Sequence, residues 1–370
     1  MGYHNSQVSI LDLNSGKITQ LTEGLDRSID WVEWAGNSRQ LLISFDDFGK
    51  RKLASVDMEG DLRPLESDVG SAGISRPYTS GDFTVSDNGA YAYTAGGPDR
   101  PADVAFGHDD SAIRLTDLNA DLLDHKTLGE VREISWRSSV GDHDIYGWLV
   151  TPPGFDEAQQ YPLLLEIHGG PFTAYGPHFS TEVQLYAAAG YVVFYTNPRG
   201  STSYGYEFAN EIHHNYPSQD YDDLMSGVDA VIDMGFIDEE QLFVTGGSGG
   251  GVLTAWIVGN TDRFAAAAVA KPVINWISHA LYSDIPEGVT RYWFEQLPWE
   301  DFDAYWARSP LSLVGNVTTP TLLLTGEADY RTPIAESEQY FQALKLRQVD
   351  TAMVRVPEAV SYTHLRAHET

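Results

Sequence analysis

The sequence predicts an α/β domain with a mostly parallel sheet, preceded by a partial all-β propeller. Three observations lead to this interpretation. Up to about residue 130, the chain consists of short alternating strand patterns separated by turns. From about Val131, apolar strand patterns alternate with helical patterns, which indicates an open α/β sheet. The length of 370 residues is sufficient for more than one domain.

The region 1–130 contains a loose internal repeat. Each copy alternates apolar and polar residues and ends with Asp and a Gly or Asn turn, which is typical of a β-hairpin. The copies begin at Val8, Leu53 and, more weakly, Ile113. Further strand pairs lie between them, at 31–34 with 41–45 and at 83–86 with 91–94. Four strands per unit predict propeller blades, and a generic β-sandwich is the alternative.

About two blades and a piece of a third fit into this region, whereas propellers usually close with about four to eight. The region 1–130 is therefore interpreted as a partial propeller. We expect either that the natural protein begins before Met1 or that this region is a remnant.

The composition restricts the classes of function. A formal net charge of −30 argues against nucleic acid as a partner, because phosphate binding needs clustered Lys and Arg. No apolar stretch approaches the roughly 20 residues that a membrane-spanning helix needs, so no membrane partner is predicted. The absence of cysteine excludes a disulfide framework, a cysteine metal site and a thiol nucleophile.

The region 131–359 is predicted to be the α/β domain. Strands are expected at 145–150, 163–167, 191–195, 242–244, 265–269, 322–324 and 352–356. Helices are expected at 181–189, 221–234, 252–258 and 334–346. The strand at 163–167 is almost continuously apolar, as expected for a strand that is covered on both faces.

A nucleophile motif lies within this domain. Residues 246–250 read Gly-Gly-Ser-Gly-Gly, between a predicted strand and a helix expected to begin near Gly251. A nucleophile elbow is a tight, strained turn that needs small residues around its serine and exposes the hydroxyl at the sheet edge. The alternative, a phosphate-binding loop, requires a Gly-Lys-Ser/Thr ending that is missing here. We therefore predict that Ser248 is the nucleophile.

Residues 168–171 read His-Gly-Gly-Pro and directly follow a predicted strand. Acyl transfer needs N–H donors aimed at the oxyanion, and a Gly-rich loop beside the elbow can supply one. We predict that the N–H groups of Gly170 and Gly249 are the two donors. His168 is a candidate for the base, but its position in the chain favours a role in holding the loop.

Asp329 follows the strand predicted at 322–324 and is the candidate catalytic acid. A carboxylate at this place can orient the imidazole of the base and stabilise its charged form. Glu327 is the substitute candidate. The structural alternative for Asp329 is a turn or N-cap aspartate before the helix at 334–346.

Together, these motifs resemble those of the prolyl oligopeptidase family of serine peptidases, in its acylaminoacyl- or dipeptidyl-peptidase-like branch. Residues 197–205, Asn-Pro-Arg-Gly-Ser-Thr-Ser-Tyr-Gly, match a further characteristic stretch of that family. The resemblance extends to about Ala359. It implies an α/β-hydrolase domain after a β-propeller, hydrolysis of short peptides through an acyl-enzyme, and no need for a metal or organic cofactor.

The chain departs from the family pattern in two places. The family commonly has an aromatic residue at the position of Gly249, and its catalytic histidine follows the strand corresponding to 352–356. Here residues 360–370 read VSYTHLRAHET, which resembles one reading frame of a transposase sequencing adapter. We expect this tail to be adapter-derived and the chain to lack its base. Alternatively, His364 or His368 is the base in a genuine C-terminal loop.

The predicted function of the natural protein is that of a serine peptidase, while the chain as printed is expected to be nearly inactive. Two alternatives remain: an esterase with the same serine machinery, and a non-catalytic, propeller-based binding protein. The segment 273–276 and the aromatic stretch 292–294 suggest an apolar substrate wall, with packing in the core as the alternative.

Overall fold

The computed structural model of the chain describes residues 2–36, 39–65, 67–108 and 111–361. The first part contains the strands β1 (Ser9–Leu11), β2 (Ile18–Gln20), β3 (Ile29–Trp34), β4 (Gln40–Asp47), β5 (Lys50–Asp57), β6 (Leu62–Pro64), β7 (Phe83–Val85), β8 (Tyr91–Gly97), β9 (Arg100–His108) and β10 (Ser111–Arg114). Strands β1 and β2 form a hairpin. The others form two four-stranded antiparallel sheets, in the orders β3-β4-β5-β6 and β7-β8-β9-β10.

The two four-stranded sheets agree with the predicted four strands per unit. Strand β9 was missed, because Pro101 and Asp103 interrupt the alternation of apolar and polar residues. The weak third copy of the repeat contributes β10, which pairs with β9. Within the described residues these sheets do not close into a ring, so the propeller stays a prediction.

The second part contains the strands β11 (Glu130–Arg137), β12 (Asp144–Thr151), β13 (Tyr161–Ile167), β14 (Val192–Asn197), β15 (Ile237–Gly247), β16 (Ala266–Ala270), β17 (Thr321–Gly326) and β18 (Thr351–Val356). They form one sheet in the order β11-β12-β14-β13-β15-β16-β17-β18. The pairings of β12 with β11 and with β14 are antiparallel, and all other pairings are parallel. The predicted mostly parallel α/β sheet, preceded by all-β structure, is confirmed.

The helices are α1 (Ala120–Leu123), α2 (Thr181–Ala188), α3 (Tyr206–Asn210), α4 (Asp220–Ile232), α5 (Gly249–Asn260), α6 (Trp276–Tyr282), α7 (Pro286–Gly288), α8 (Phe302–Ala307) and α9 (Ile334–Leu346). Helices α2, α4, α5 and α9 are the four that the sequence predicted. Helix α5 begins at Gly249 and not near Gly251, because the chain turns into the helix directly after Ser248. None of the helices in the described ranges is long and apolar enough to cross a membrane.

The main core lies around the eight-stranded sheet. Strand β14 is buried along its whole length, as the apolar pattern of a doubly covered strand requires. The segments 273–276 and 292–294 also contribute to this core, since Ile274, Trp276 and Phe294 are almost fully buried within it. The alternative of core packing is therefore correct for these residues.

Candidate active site

Ser248 occupies a strained turn between β15 and α5. Its backbone has φ 59° and ψ −119°, a conformation that residues with a side chain rarely adopt. The flanking glycines are required by space: a Cβ on Gly246 would meet the backbone of Gly250, and a Cβ on Gly250 would overlap the carbonyl of Ile167. The turn therefore has the geometry that a nucleophile elbow needs.

Ser248 lines a cavity of about 630 Å³ at the carboxyl ends of the parallel strands. The loop after β13 contributes Gly169 and Gly170. The all-β part of the chain also contributes to this cavity. The other lining residues include Ser75, Arg76, Tyr78, Glu182, Ala270, Lys271, Leu324, Gly326, Val356, Val360 and Ser361.

The two predicted oxyanion donors lie next to each other. A Cβ built on Gly249 would be 3.2 Å from the Gly170 nitrogen and 3.2 Å from the Tyr216 hydroxyl. The Tyr216 hydroxyl donates a hydrogen bond of 2.9 Å to the Gly249 carbonyl and so restrains the start of α5 beside Ser248. In the part of the chain that the structure describes, neither the Gly170 N–H nor the Gly249 N–H donates to a protein acceptor. Both N–H groups are therefore available to donate to a negatively charged oxygen.

His168 is buried and holds the loop that contains Gly170. Its Nδ1 lies 2.7 Å from the Gly169 carbonyl oxygen, and its Nε2 lies 2.9 Å from the Ser201 hydroxyl. Burial lowers the pKa of His168 to about 4, so the ring is neutral near pH 7. It does not line the cavity with Ser248. These contacts favour the loop-holding role over that of the base.

The stretch 197–205 anchors the same region. Arg199 Nε and Nη2 donate to the Asp223 carboxylate at 2.9 and 2.7 Å, which ties the loop after β14 to α4. Ser201 contacts His168, as described above. Residues 197–205 therefore support the loop at 168–171 through the contact between Ser201 and His168.

Asp329 is buried in the loop after β17 and does not itself line the Ser248 cavity. Its Oδ1 accepts the N–H groups of Arg331 and Thr332 at 3.0 and 2.9 Å, and its Oδ2 accepts the Thr332 hydroxyl at 3.0 Å. It thus has the contacts of a turn aspartate, although Pro333 and not Asp329 is the N-cap of α9. Glu327 is exposed and pairs with Arg355 at 3.1 Å.

The segment that follows β18 leads to the cavity. The Ala328 N–H donates to the Ala359 carbonyl at 3.0 Å, which joins this segment to the loop of Asp329. Val360 and Ser361 then line the Ser248 cavity, and the Lys271 ammonium donates to the Ser361 carbonyl. His364 and His368 lie outside the described residues.

A charged cluster at the cavity wall was missed by the sequence analysis. Arg76 forms two parallel hydrogen bonds of 2.9 and 3.1 Å with Glu182, and its Nη1 lies 3.2 Å from Glu166 Oε1. Burial raises the pKa of Glu166 to about 7. Burial opposes ionisation of Glu182 as well, but its hydrogen bonds and proximity to Arg76 outweigh this effect and lower its pKa. Burial and the Arg76 charge lower the pKa of Lys271.

Comparison with known proteins gives a consistent assignment. The model of the prolyl oligopeptidase family matches residues 177–360, a range that contains Ser248 and Asp329. The uncharacterized peptidase YuxL of Bacillus subtilis is 36% identical over 378 aligned residues, covering 96% of this chain and 56% of YuxL. Acylamino-acid-releasing enzyme 1 of Oryza sativa subsp. japonica is 34% identical over 53% of this chain and 27% of its own length.

A similar solved structure is the acylaminoacyl peptidase of Pyrococcus horikoshii. Its TM-score is 0.85 at 24% identity, over 94% of this chain and 54% of that protein. The chain thus spans about half the length of several of the proteins it matches.

Proposed function

We propose that the whole protein is a serine peptidase acting on short peptides. The premise of this proposal is that the chain belongs to the prolyl oligopeptidase family. The observation that carries the proposal is Ser248 on its strained turn, facing a cavity together with Gly170. In this assignment, residues 1–130 are part of a β-propeller and residues 131–359 are an α/β-hydrolase domain.

The mechanism assigns one role to each residue. A histidine base takes the Ser248 proton, and the serine oxygen attacks the peptide carbonyl. The Gly170 and Gly249 N–H groups stabilise the oxyanion of the tetrahedral intermediate. The base then protonates the leaving amine, and water releases the acyl group from Ser248 by the reverse sequence of proton transfers. Asp329 orients the base and stabilises its charged form.

We place the base after Ala359, because Val356 at the end of β18 lines the Ser248 cavity and the Ala359 carbonyl accepts the Ala328 N–H of the Asp329 loop. In this proposal, residues 360–370 as printed are adapter-derived and replace the segment that carries the histidine. Resequencing the source DNA across codon 359 from an independent library tests this point. A frame that continues through a histidine supports it. If the same residues recur, His364 and His368 become the candidates for the base.

The function is tested by labelling the whole protein with a fluorophosphonate and by measuring turnover of matched peptidyl-amide and ester substrates. We expect labelling at Ser248 and amide turnover, and loss of both in Ser248→Ala by at least about 10⁴-fold. Ser226→Ala, which removes a hydroxyl on α4, is the control that keeps activity. Turnover of esters alone indicates an esterase, and absence of labelling with a complete C-terminus indicates a non-catalytic binding protein.

A further inference from the structure

Residues 74–79, the bridging segment, connect the all-β part of the chain to the catalytic loops. The segment runs alongside the chain that leads into α2. Four hydrogen bonds of 2.7 to 3.0 Å join the two: Thr181 N–H to Ile74 O, Ser180 Oγ–H to Ser75 O, Gly176 N–H to Pro77 O, and Thr79 N–H to Ala174 O. The position of the bridging segment is thus fixed by its backbone.

Arg76 adds a charged anchor to this backbone contact. Its bidentate pair with Glu182 and its contact with Glu166 join the bridging segment to α2 and β13. Paired hydrogen bonds between a guanidinium and a carboxylate restrict orientation as well as distance. The neighbouring side chain of Tyr78 is therefore held in a defined place at the cavity wall.

Tyr78 reaches the loop that carries the proposed oxyanion donor. Its hydroxyl accepts the Gly169 N–H at 2.9 Å, and its ring packs on Tyr175 with 4.7 Å between the ring centroids. A Cβ on Gly169 would lie 3.3 Å from the Tyr78 hydroxyl, 3.3 Å from Ser248 Cβ and 2.9 Å from the carbonyl oxygen of Gly247. Gly169 is thus enclosed between Tyr78 and the nucleophile turn.

We infer that Tyr78 is a positioning residue for the oxyanion loop, an inference that rests on the proposed function. Tyr78 fixes the peptide of Gly169, and this peptide directly precedes the one that presents the Gly170 N–H. An oxyanion donor acts when negative charge develops, so its alignment affects the transition state more than substrate binding. The all-β part of the chain would then contribute to catalysis through the position of the oxyanion loop.

Tyr78→Phe tests this role, since it removes the hydroxyl acceptor and keeps the ring that packs on Tyr175. We expect amide hydrogen exchange at Gly169 to become faster while the global unfolding midpoint is retained. In the whole active protein, we expect kcat to fall about tenfold with KM within about twofold. The affinity for a peptide aldehyde, which forms a tetrahedral adduct, should fall by the same factor, and that for the product peptide should not change.

Tyr93→Phe is the matched control. It removes a hydroxyl of the all-β part that donates a hydrogen bond to Asp68 and lies away from Ser248. Wild-type exchange at Gly169, or a wild-type kcat in Tyr78→Phe, refutes the role of Tyr78. A wild-type protein that neither reacts with the fluorophosphonate nor hydrolyses peptides refutes the proposed function instead. The exchange measurement needs no turnover and still decides whether Tyr78 holds the loop.

Discussion

Arg76 lies between two glutamates whose pKa values shift in opposite directions. Glu166 is fully buried, and its Oε2 has no hydrogen-bond partner among the described residues. The Arg76 charge is already shared with Glu182 through two hydrogen bonds, so it compensates only partly for the burial of Glu166. Glu182 keeps more solvent contact and gains more from the arginine.

We predict opposite pH dependences of stability for Glu166→Gln and Glu182→Gln. The folded-state pKa of Glu166, about 7, lies above its ordinary value of 4.5. Its stabilising contribution is complete below pH 4.5 and is lost as the pH rises towards 7. The stability of the wild type relative to Glu166→Gln should thus fall by up to about 3 kcal/mol over this interval. Urea unfolding of the wild type and of Glu166→Gln between pH 4 and 8 measures this difference in stability.

Glu182 provides the comparison of opposite sign. Its lowered pKa means that its contribution is present above the ordinary value of 4.5 and is lost as the pH falls through the folded-state pKa. The advantage of the wild type over Glu182→Gln should therefore shrink towards acidic pH. If the stability difference between the wild type and the variant changed with pH in the same direction for both variants, this account of the cluster would be contradicted.

At this scale, the sequence was informative where chemistry requires a local pattern. Ser248 and Gly170 were selected from short motifs next to predicted strands, and the structure brings both to one cavity. Tyr78 and Arg76 were not selected, because their partners are 91 and 106 residues away in the chain. No local pattern distinguishes such residues from others in an irregular segment.

The start of helix α5 is constrained by its packing against the sheet. It begins with Gly249, Gly250 and Gly251, which are poor helix formers. They are retained because the helix start lies against neighbouring backbone: a Cβ on Gly251 would contact the Ala270 carbonyl. Periodicity alone predicted a later start, since it registers the apolar side chains and not the glycines before them.

Gly250→Ala is predicted to lower the free energy of unfolding by about 2–3 kcal/mol, because its Cβ would overlap the Ile167 carbonyl and force α5 away from β13. Gly315→Ala is the control, since no atom lies within 4 Å of a Cβ at that position, and we expect a change within about 0.5 kcal/mol. Urea denaturation compares the two. Equal stabilities would mean that the helix start adjusts without cost.

On the scale of the whole molecule, a hairpin tip joins the two parts of the chain. The turn between β4 and β5 reaches the loop after β14, where the Phe48 and Gly49 N–H groups donate to the Ser203 carbonyl and hydroxyl at 3.1 and 2.7 Å. Phe48 contacts Tyr146 and Tyr204 edge-on. The sequence predicted the two kinds of sheet, but hydrophobic periodicity carries no information on how they dock.

Gly176→Ala probes this docking, because its Cβ would overlap the Gly49 carbonyl. Overpacking of this kind typically lowers the free energy of unfolding by about 1–3 kcal/mol. Here we expect the hairpin tip to move outward. Trp148, almost fully buried beneath Gly49, should then gain solvent contact, which a red shift of tryptophan emission would report.

The ring of Tyr175, the neighbour of Gly176, supports Tyr78, so the same substitution should also accelerate amide exchange at Gly169. Gly24→Ala, at an open position of the all-β part, should change neither signal. A Gly176→Ala protein with red-shifted emission and wild-type exchange at Gly169 would show that the docked hairpin and the loop at 168–171 respond independently. A change in both signals would mean that the contact between the two parts of the chain is transmitted to the residues beside Ser248.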